Sequence, residues 1–352
     1  MALPVRSINL TPFHSSVHSS YPFILFLAFI YRVVKSTEDC PVVSSYRRAL
    51  WLYPLFQIPL MCLAACLIAA LLFWLLGLGR PNVAVAIAID LSGSTYNEEI
   101  SNFNAPGTVM AQEVQAVQAY IQQNTQQLKQ PNAIQIFGFA GKTVPLTNAF
   151  QTDGQQVSDQ LTGAMRQLQR RVVSSTQQVV QILGQGTNLD RAIQSGTNAF
   201  ASVQKRCREL LLVTDGMGQV SDNAIADAID KQVKINAIVL GTNAPEIRSA
   251  TQSTNGLYIS GDVQNLQGFF TRIFFQHINS NLPWVWFWLG AAWISLMWTL
   301  IMPLDRWIFQ GWLGFGWPLA GKLSLGNAFF WSIATLPIVW RLAGGLPFLS
   351  RC

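Results

Sequence analysis

The chain has 352 residues, of which 50% are hydrophobic and only 11% charged, with 23 Lys and Arg against 17 Asp and Glu. That balance excludes a disordered or fibrous polymer and leaves room for one folded domain of about 200 residues beside membrane segments. The net charge of +6 is uneven: residues 81–280 hold 13 basic and 14 acidic side chains, so the excess lies in the flanks, 10 against 3, and reads as a membrane signature with no nucleic-acid partner.

Residues 1–48 read as an N-terminal cytoplasmic or interfacial segment. His14 and His18 stand four apart in a Ser-rich stretch without further ligands, and the apolar run Tyr21 to Tyr31 is too short to cross a bilayer. Residues 49–80 hold the first transmembrane helix. Its apolar run, Leu60 to Gly79, is uncharged and closed by Arg80. Leu63-Ala64-Ala65-Cys66 has the form of a lipoprotein processing box, but the run stays apolar through Leu78 and the box lies far from Met1, so an uncleaved helix is expected. Arg32, Lys35, Arg47 and Arg48 precede the span and Arg80 alone follows closely. The positive-inside rule then places the N-terminus in the cytoplasm and the next domain on the non-cytoplasmic side.

Residues 81–280 alternate strands with helices. Strands are expected at Val83 to Ile89, Ala133 to Phe139, Thr143 to Leu146, Leu210 to Thr214, Ile235 to Gly241 and Leu257 to Ser260. Helical stripes fill the gaps: Thr108 to Lys129, Leu189 to Val203, Asp222 to Lys231, Pro245 to Gln252 and Val263 to Ile278. The pattern is that of an α/β fold, a doubly wound and mainly parallel sheet, with a hairpin at Gly141-Lys142 adding one antiparallel edge strand. A Gln-rich helical stretch from about Asp153 to Leu183 carries Arg166, Arg170 and Arg171, either an acidic-partner patch or a solvated face.

Three strand ends carry hard oxygen donors. Asp90-Leu91-Ser92-Gly93-Ser94 follows the first strand, Gly186-Thr187-Asn188-Leu189 precedes a helix, and Val213-Thr214-Asp215-Gly216 closes the fourth strand. Open α/β sheets place ligands at this carboxyl edge. Asp90, Ser92, Ser94, Thr187 and Asp215 thus form a candidate metal site whose hydroxyls and carboxylates suit Mg²⁺, or Mn²⁺ or Ca²⁺, with no Cys or His nearby to recruit zinc. Two carboxylates only just neutralise a divalent ion, which leaves a coordination position for a partner's carboxylate.

These motifs resemble the metal-ion-dependent adhesion site of von Willebrand factor A (vWA) domains, with all five ligand types in order over roughly Asn82 to Asn279. The resemblance implies a Rossmann-like fold, a divalent ion held by the five residues, and binding to an acidic residue of a protein partner. The order of membrane helix, vWA domain and membrane helix is similar to Bacteroides aerotolerance-type membrane proteins. That similarity implies a bacterial cell membrane setting and partners such as other vWA proteins or a MoxR-type ATPase in envelope protein assembly or stress tolerance.

Beyond the domain, residues 283–304 form a second uncharged, Trp-rich span ended by Asp305-Arg306, and residues 305–322 an aromatic connector at headgroup level. Residues 323–341 either span a third time or lie in the lipid interface, and 342–352 form a tail. Cys207 is the lone cysteine of the domain and reads as a structural thiol. No enzyme is expected: His14, His18 and His277 are the only histidines, no phosphate-cradling glycine motif follows the first strand, and Glu98 and Glu99 are the only candidates for a base beside the metal. The alternative role is a structural subunit of a membrane complex, with the metal only stiffening its loops.

Overall fold

A computed structural model describes residues 49–96, 102–174, 181–216, 218–241, 244–343, 345 and 347. The expectations placed on Tyr21 to Tyr31, on His14 and His18, on the basic residues before the first span and on Glu98 and Glu99 lie outside these residues. The described chain divides into two compact units, residues 71–285 and a helical unit that includes residues up to Ala70 and Trp286–Leu342.

The first unit is a six-stranded sheet in the order β3-β2-β1-β4-β5-β6. Its strands are β1 (Val83–Asp90), β2 (Ala133–Phe139), β3 (Thr143–Pro145), β4 (Cys207–Thr214), β5 (Val233–Leu240) and β6 (Tyr258–Gly261). All neighbours run parallel except the β2–β3 hairpin, which pairs Phe139 with Thr143. The expected doubly wound, mainly parallel α/β architecture with one antiparallel edge strand is present. β1 is central and wholly buried, and its alternation explains both layers. Val83, Val85, Ile87 and Ile89 face one core with Val117 and Tyr120, while Ala84, Ala86 and Ala88 face the other with Ile193 and Ala228. A strand covered on both faces by helices becomes apolar throughout.

The first layer holds α2 (Val109–Gln127), α3 (Gly154–Ser174) and the helical run 263–278, called α7. The second holds α4 (Leu189–Ala199), α5 (Asp222–Asp230) and α6 (Pro245–Ser253). Thr108, Asn188 and Ser221 cap α2, α4 and α5 by accepting backbone N–H bonds, as their residue types favour. β4 begins three residues before the sequence pattern suggests, because Cys207, Arg208 and Glu209 pair with β1 despite their charge. Cys207 is buried and disulfide-bonded, which corrects the expectation of a lone thiol; counting cysteines inside one domain cannot reveal its pairing.

Three helices are long and apolar enough to cross a membrane: α1 (Pro54–Leu76), α8 (Leu282–Trp312) and α9 (Trp317–Ala343). Only 6% of the apolar window of α1 is buried, so its Leu, Ile and Trp side chains are left for lipid on nearly every side. In the helical unit, Gly290 of α8 lies against Val339 of α9 at a spacing too tight for a Cβ, and Trp298 Nε1 donates to Ser332 Oγ at 3.0 Å. Small residues and buried hydroxyls bind helices together in lipid in this way. The stretch expected as an aromatic connector is helical through Trp312, and the third helix begins at Trp317. The cause is local: Phe309, Gln310 and Trp312 extend the helix until Gly314, at φ +68°, ends it.

Candidate metal site

Parallel pairing aligns the C-terminal ends of β1 and β4, with Ile89 opposite Val213, so Asp90 and Thr214 emerge side by side. Thr214 Oγ1 donates to Asp90 Oδ2 at 2.8 Å, and the Ser92 backbone N–H donates to Asp90 Oδ1 at 2.9 Å. Both carboxylate oxygens are therefore fixed. The turn that follows is held by Thr95 Oγ1 donating to the Ser92 carbonyl at 2.8 Å, which brings the Ser92 and Ser94 hydroxyls to 3.0 Å from each other. Ser92 is buried and Ser94 is exposed, so the pair runs from the sheet edge to solvent.

Thr187 reaches this edge through a loop clamped to the β2–β3 hairpin. Asn188 N–H donates to the Ala140 carbonyl at 2.8 Å and Arg191 Nη1 to the Gly141 carbonyl at 3.2 Å. Gly184 needs both its positive φ of +74° and its missing side chain, since a Cβ there would lie 3.0 Å from the Gly141 backbone. The Thr187 side chain is half-buried and makes no hydrogen bond among the described residues. The Asp215 loop is joined to the Thr187 loop by Ser221 N–H donating to Asp190 Oδ1 at 2.8 Å. Asp215 and Ser94 line one cleft of about 500 Å³ together with Val109, Gly261 and Asp262.

The Asp90 and Asp215 carboxylates lie close enough at this edge for their charges to interact. Asp90 is fully buried, and burial pushes its carboxyl up to about 6; hydrogen bonds from Ser92 and Thr214 oppose this, while the Asp215 charge adds to it. No ion pair neutralises Asp90 among the described residues. Buried carboxylates are ordinarily paired or metal-bound. Among the described residues no group of three or more His, Cys, Asp or Glu is placed to hold a metal, so any ion here depends on the hydroxyls. Two of the five candidate donors are spaced as such an ion would require. An octahedral ion with oxygens at about 2.0–2.1 Å sets adjacent ligands about 2.9 Å apart, and the two serine hydroxyls already stand 3.0 Å apart.

The sequence pattern did not single out Glu113. It lies fully buried on α2 behind Asp90, and its Oε2 accepts the Asp90 backbone N–H at 3.2 Å. Burial and the nearby Asp90 charge hold its carboxyl well above the usual range, and its Oε1 has no hydrogen-bond partner among the described residues. A signal was present: Glu113 falls between Met110 and Val117 on the apolar stripe of an otherwise amphipathic helix.

No protein-family model and no curated protein matches the chain. Several solved structures resemble it in fold. An aerotolerance-related membrane protein from Bacteroides fragilis is 17% identical, with 56% of this chain and 98% of that chain covered at a TM-score of 0.40. BatB from Bacteroides thetaiotaomicron is 16% identical, covering 55% and 98% at 0.42. A von Willebrand factor type A protein from Catenulispora acidiphila is 16% identical, covering 56% and 43% at 0.42.

Proposed function

We infer that this chain is a membrane-anchored binding module in which Asp90, Ser92, Ser94, Thr187 and Asp215 hold a divalent ion, Mg²⁺ or alternatively Mn²⁺ or Ca²⁺. The observation that carries this reading is the buried, unneutralised Asp90 carboxylate beneath two hydroxyls at coordination spacing. When bound, the ion supplies positive charge at the loop tips, to which an acidic side chain of a partner protein can attach. The chain's own groups position rather than react. Asp90 has both oxygens engaged, and Glu113 is sealed from solvent, so neither is free to serve as a general base.

The resemblance to aerotolerance-type proteins supports a bacterial cell membrane setting, and the positive-inside rule supports a vWA-like domain on the non-cytoplasmic side. Further vWA proteins or a MoxR-type ATPase are the partner candidates. Isothermal titration of Mg²⁺ and Mn²⁺ into the full chain, with Ser92→Ala beside it, tests the site. A co-purification with and without chelator tests the docking. Saturable binding lost in Ser92→Ala, and partners lost with chelator, are expected; partners that persist in chelator would leave the ion only a structural role.

A further inference from the structure

A second cleft, of about 910 Å³, lies at the other end of the domain from Asp90, where the chain enters β1 and leaves α7. One wall is the C-terminal half of α2, the other is α7, and Arg80 with residues 279–281 closes it. Its only charged lining groups among the described residues are Arg80 and Arg272; glutamines such as Gln126 and Gln276, with Ser280, make up much of the remainder. An apolar occupant would strand these amides. An anion bearing further oxygens would satisfy them, because guanidinium forks match phosphate and amides pair with hydroxyls and esters.

Neighbouring aromatic and arginine side chains place the cleft at the bilayer surface. Trp284, in the first turn of α8, packs so tightly on Gly79 that no Cβ fits there, and its ring lies 5.5 Å from that of Phe73 near the end of α1. Trp at both span ends marks headgroup level. The Arg80 guanidinium folds back over Gly77, where a Cβ would come within 2.9 Å of its Nε, so the charge stays beside the last turn of α1. Asn281 Nδ2 donates to the Phe73 carbonyl at 2.6 Å and to the Leu78 carbonyl at 3.2 Å, joining the end of one span to the start of the next.

We propose that this cleft binds the headgroup of an anionic phospholipid from the leaflet adjoining the domain, with Arg80 and Arg272 on the phosphate and the glutamine amides on the headgroup oxygens. The site stands apart from the Asp90 loops and does not depend on their binding a metal. Each arginine at a bilayer surface contributes about fivefold in affinity for anionic lipid.

The test is a titration of the full chain in detergent with micelles containing phosphatidylglycerol or phosphatidylcholine, read by lipid retention in native mass spectrometry. Preferential retention of phosphatidylglycerol is expected, falling about fivefold in Arg80→Gln and in Arg272→Gln, with Arg272→Lys keeping more than Arg272→Gln. Arg166→Gln, on the distant exposed face of α3, removes the same charge and is expected to change nothing. Equal retention of both lipids, or an equal loss in Arg166→Gln, overturns the proposal. So does full displacement by millimolar glycerol phosphate, which would make the cleft a site for soluble phosphates.

Discussion

Thr214 Oγ1 donates to Asp90 Oδ2 at 2.8 Å while accepting the Gly216 N–H at 3.3 Å, so one hydroxyl couples the ends of the two central strands and the loop that carries Asp215. Thr214→Val keeps the shape and removes both bonds, leaving a buried carboxylate oxygen unsatisfied. The expected cost is about 1–3 kcal/mol of stability, together with weaker binding of Mg²⁺. Thermal melting and metal titration of the same preparation check it.

Asp90 sets activity against stability. Its folded-state value of about 6 lies above the ordinary 3.8, so between those values the folded state binds more protons than the unfolded one. Metal-free protein is therefore expected to gain stability as pH falls from about 6 towards 4, on the order of 3 kcal/mol at 1.36 kcal/mol per unit. Divalent ions, which compete with the proton, should bind less tightly as pH falls below about 6. Asp90→Asn is expected to abolish metal binding while making the metal-free fold at neutral pH more stable. A melting series in chelator from pH 4.5 to 7.5 decides this, and a flat profile that Asp90→Asn leaves unchanged would refute it.

Glu113 separates shape from charge. Burial holds its carboxyl well above the ordinary range, so Glu113→Gln, which keeps the shape without the charge, should stay within about 1 kcal/mol of the parent and still accept the Asp90 N–H. Glu113→Ala opens a cavity and strands that N–H, at an expected cost of about 3 kcal/mol. Chemical denaturation of the two variants side by side shows whether the gap appears.

Gly138 tests the site from beneath. A Cβ on this β2 residue would collide with the Leu91 side chain, and Leu91 lies between Asp90 and Ser92. Gly138→Ala is expected to shift the first loop and lower Mg²⁺ affinity about tenfold, equivalent to 1.4 kcal/mol, although no ligand is changed. Calorimetric titration against Gly163→Ala, an open helical position on α3, provides the comparison.

Much of this molecule was legible in its sequence because the signals are local. β2 was bounded correctly by its apolar run, and the helix caps at Thr108, Asn188 and Ser221 follow from residue type. Two of the three oxygen-bearing motifs follow the parallel strands β1 and β4, which sets Asp90 beside Thr214, whereas the Thr187 loop is held by its clamp to the β2–β3 hairpin. Features set by long-range pairing were not legible. Arg208 and Glu209 look like loop residues until β1 and β5 bracket them, and Lys234 and Asn236 then partner Glu209. Glu113 stands on the apolar stripe of its helix, but its role under Asp90 shows only once the helix is packed on β1. The cleft beside Arg80 and Arg272 joins residues nearly two hundred positions apart, a distance that no periodicity spans.

β1 joins the two ends of the domain. It leaves the first membrane helix within a few residues, runs straight to Asp90, and is hydrogen-bonded in register to β2 on one side and β4 on the other. Force applied between the Asp90 loop and the start of β1 would load this strand along its length. Seven paired positions on each side would then share the force in shear instead of parting one at a time, as an edge hairpin would. The centre of the sheet is thus also its most tear-resistant path.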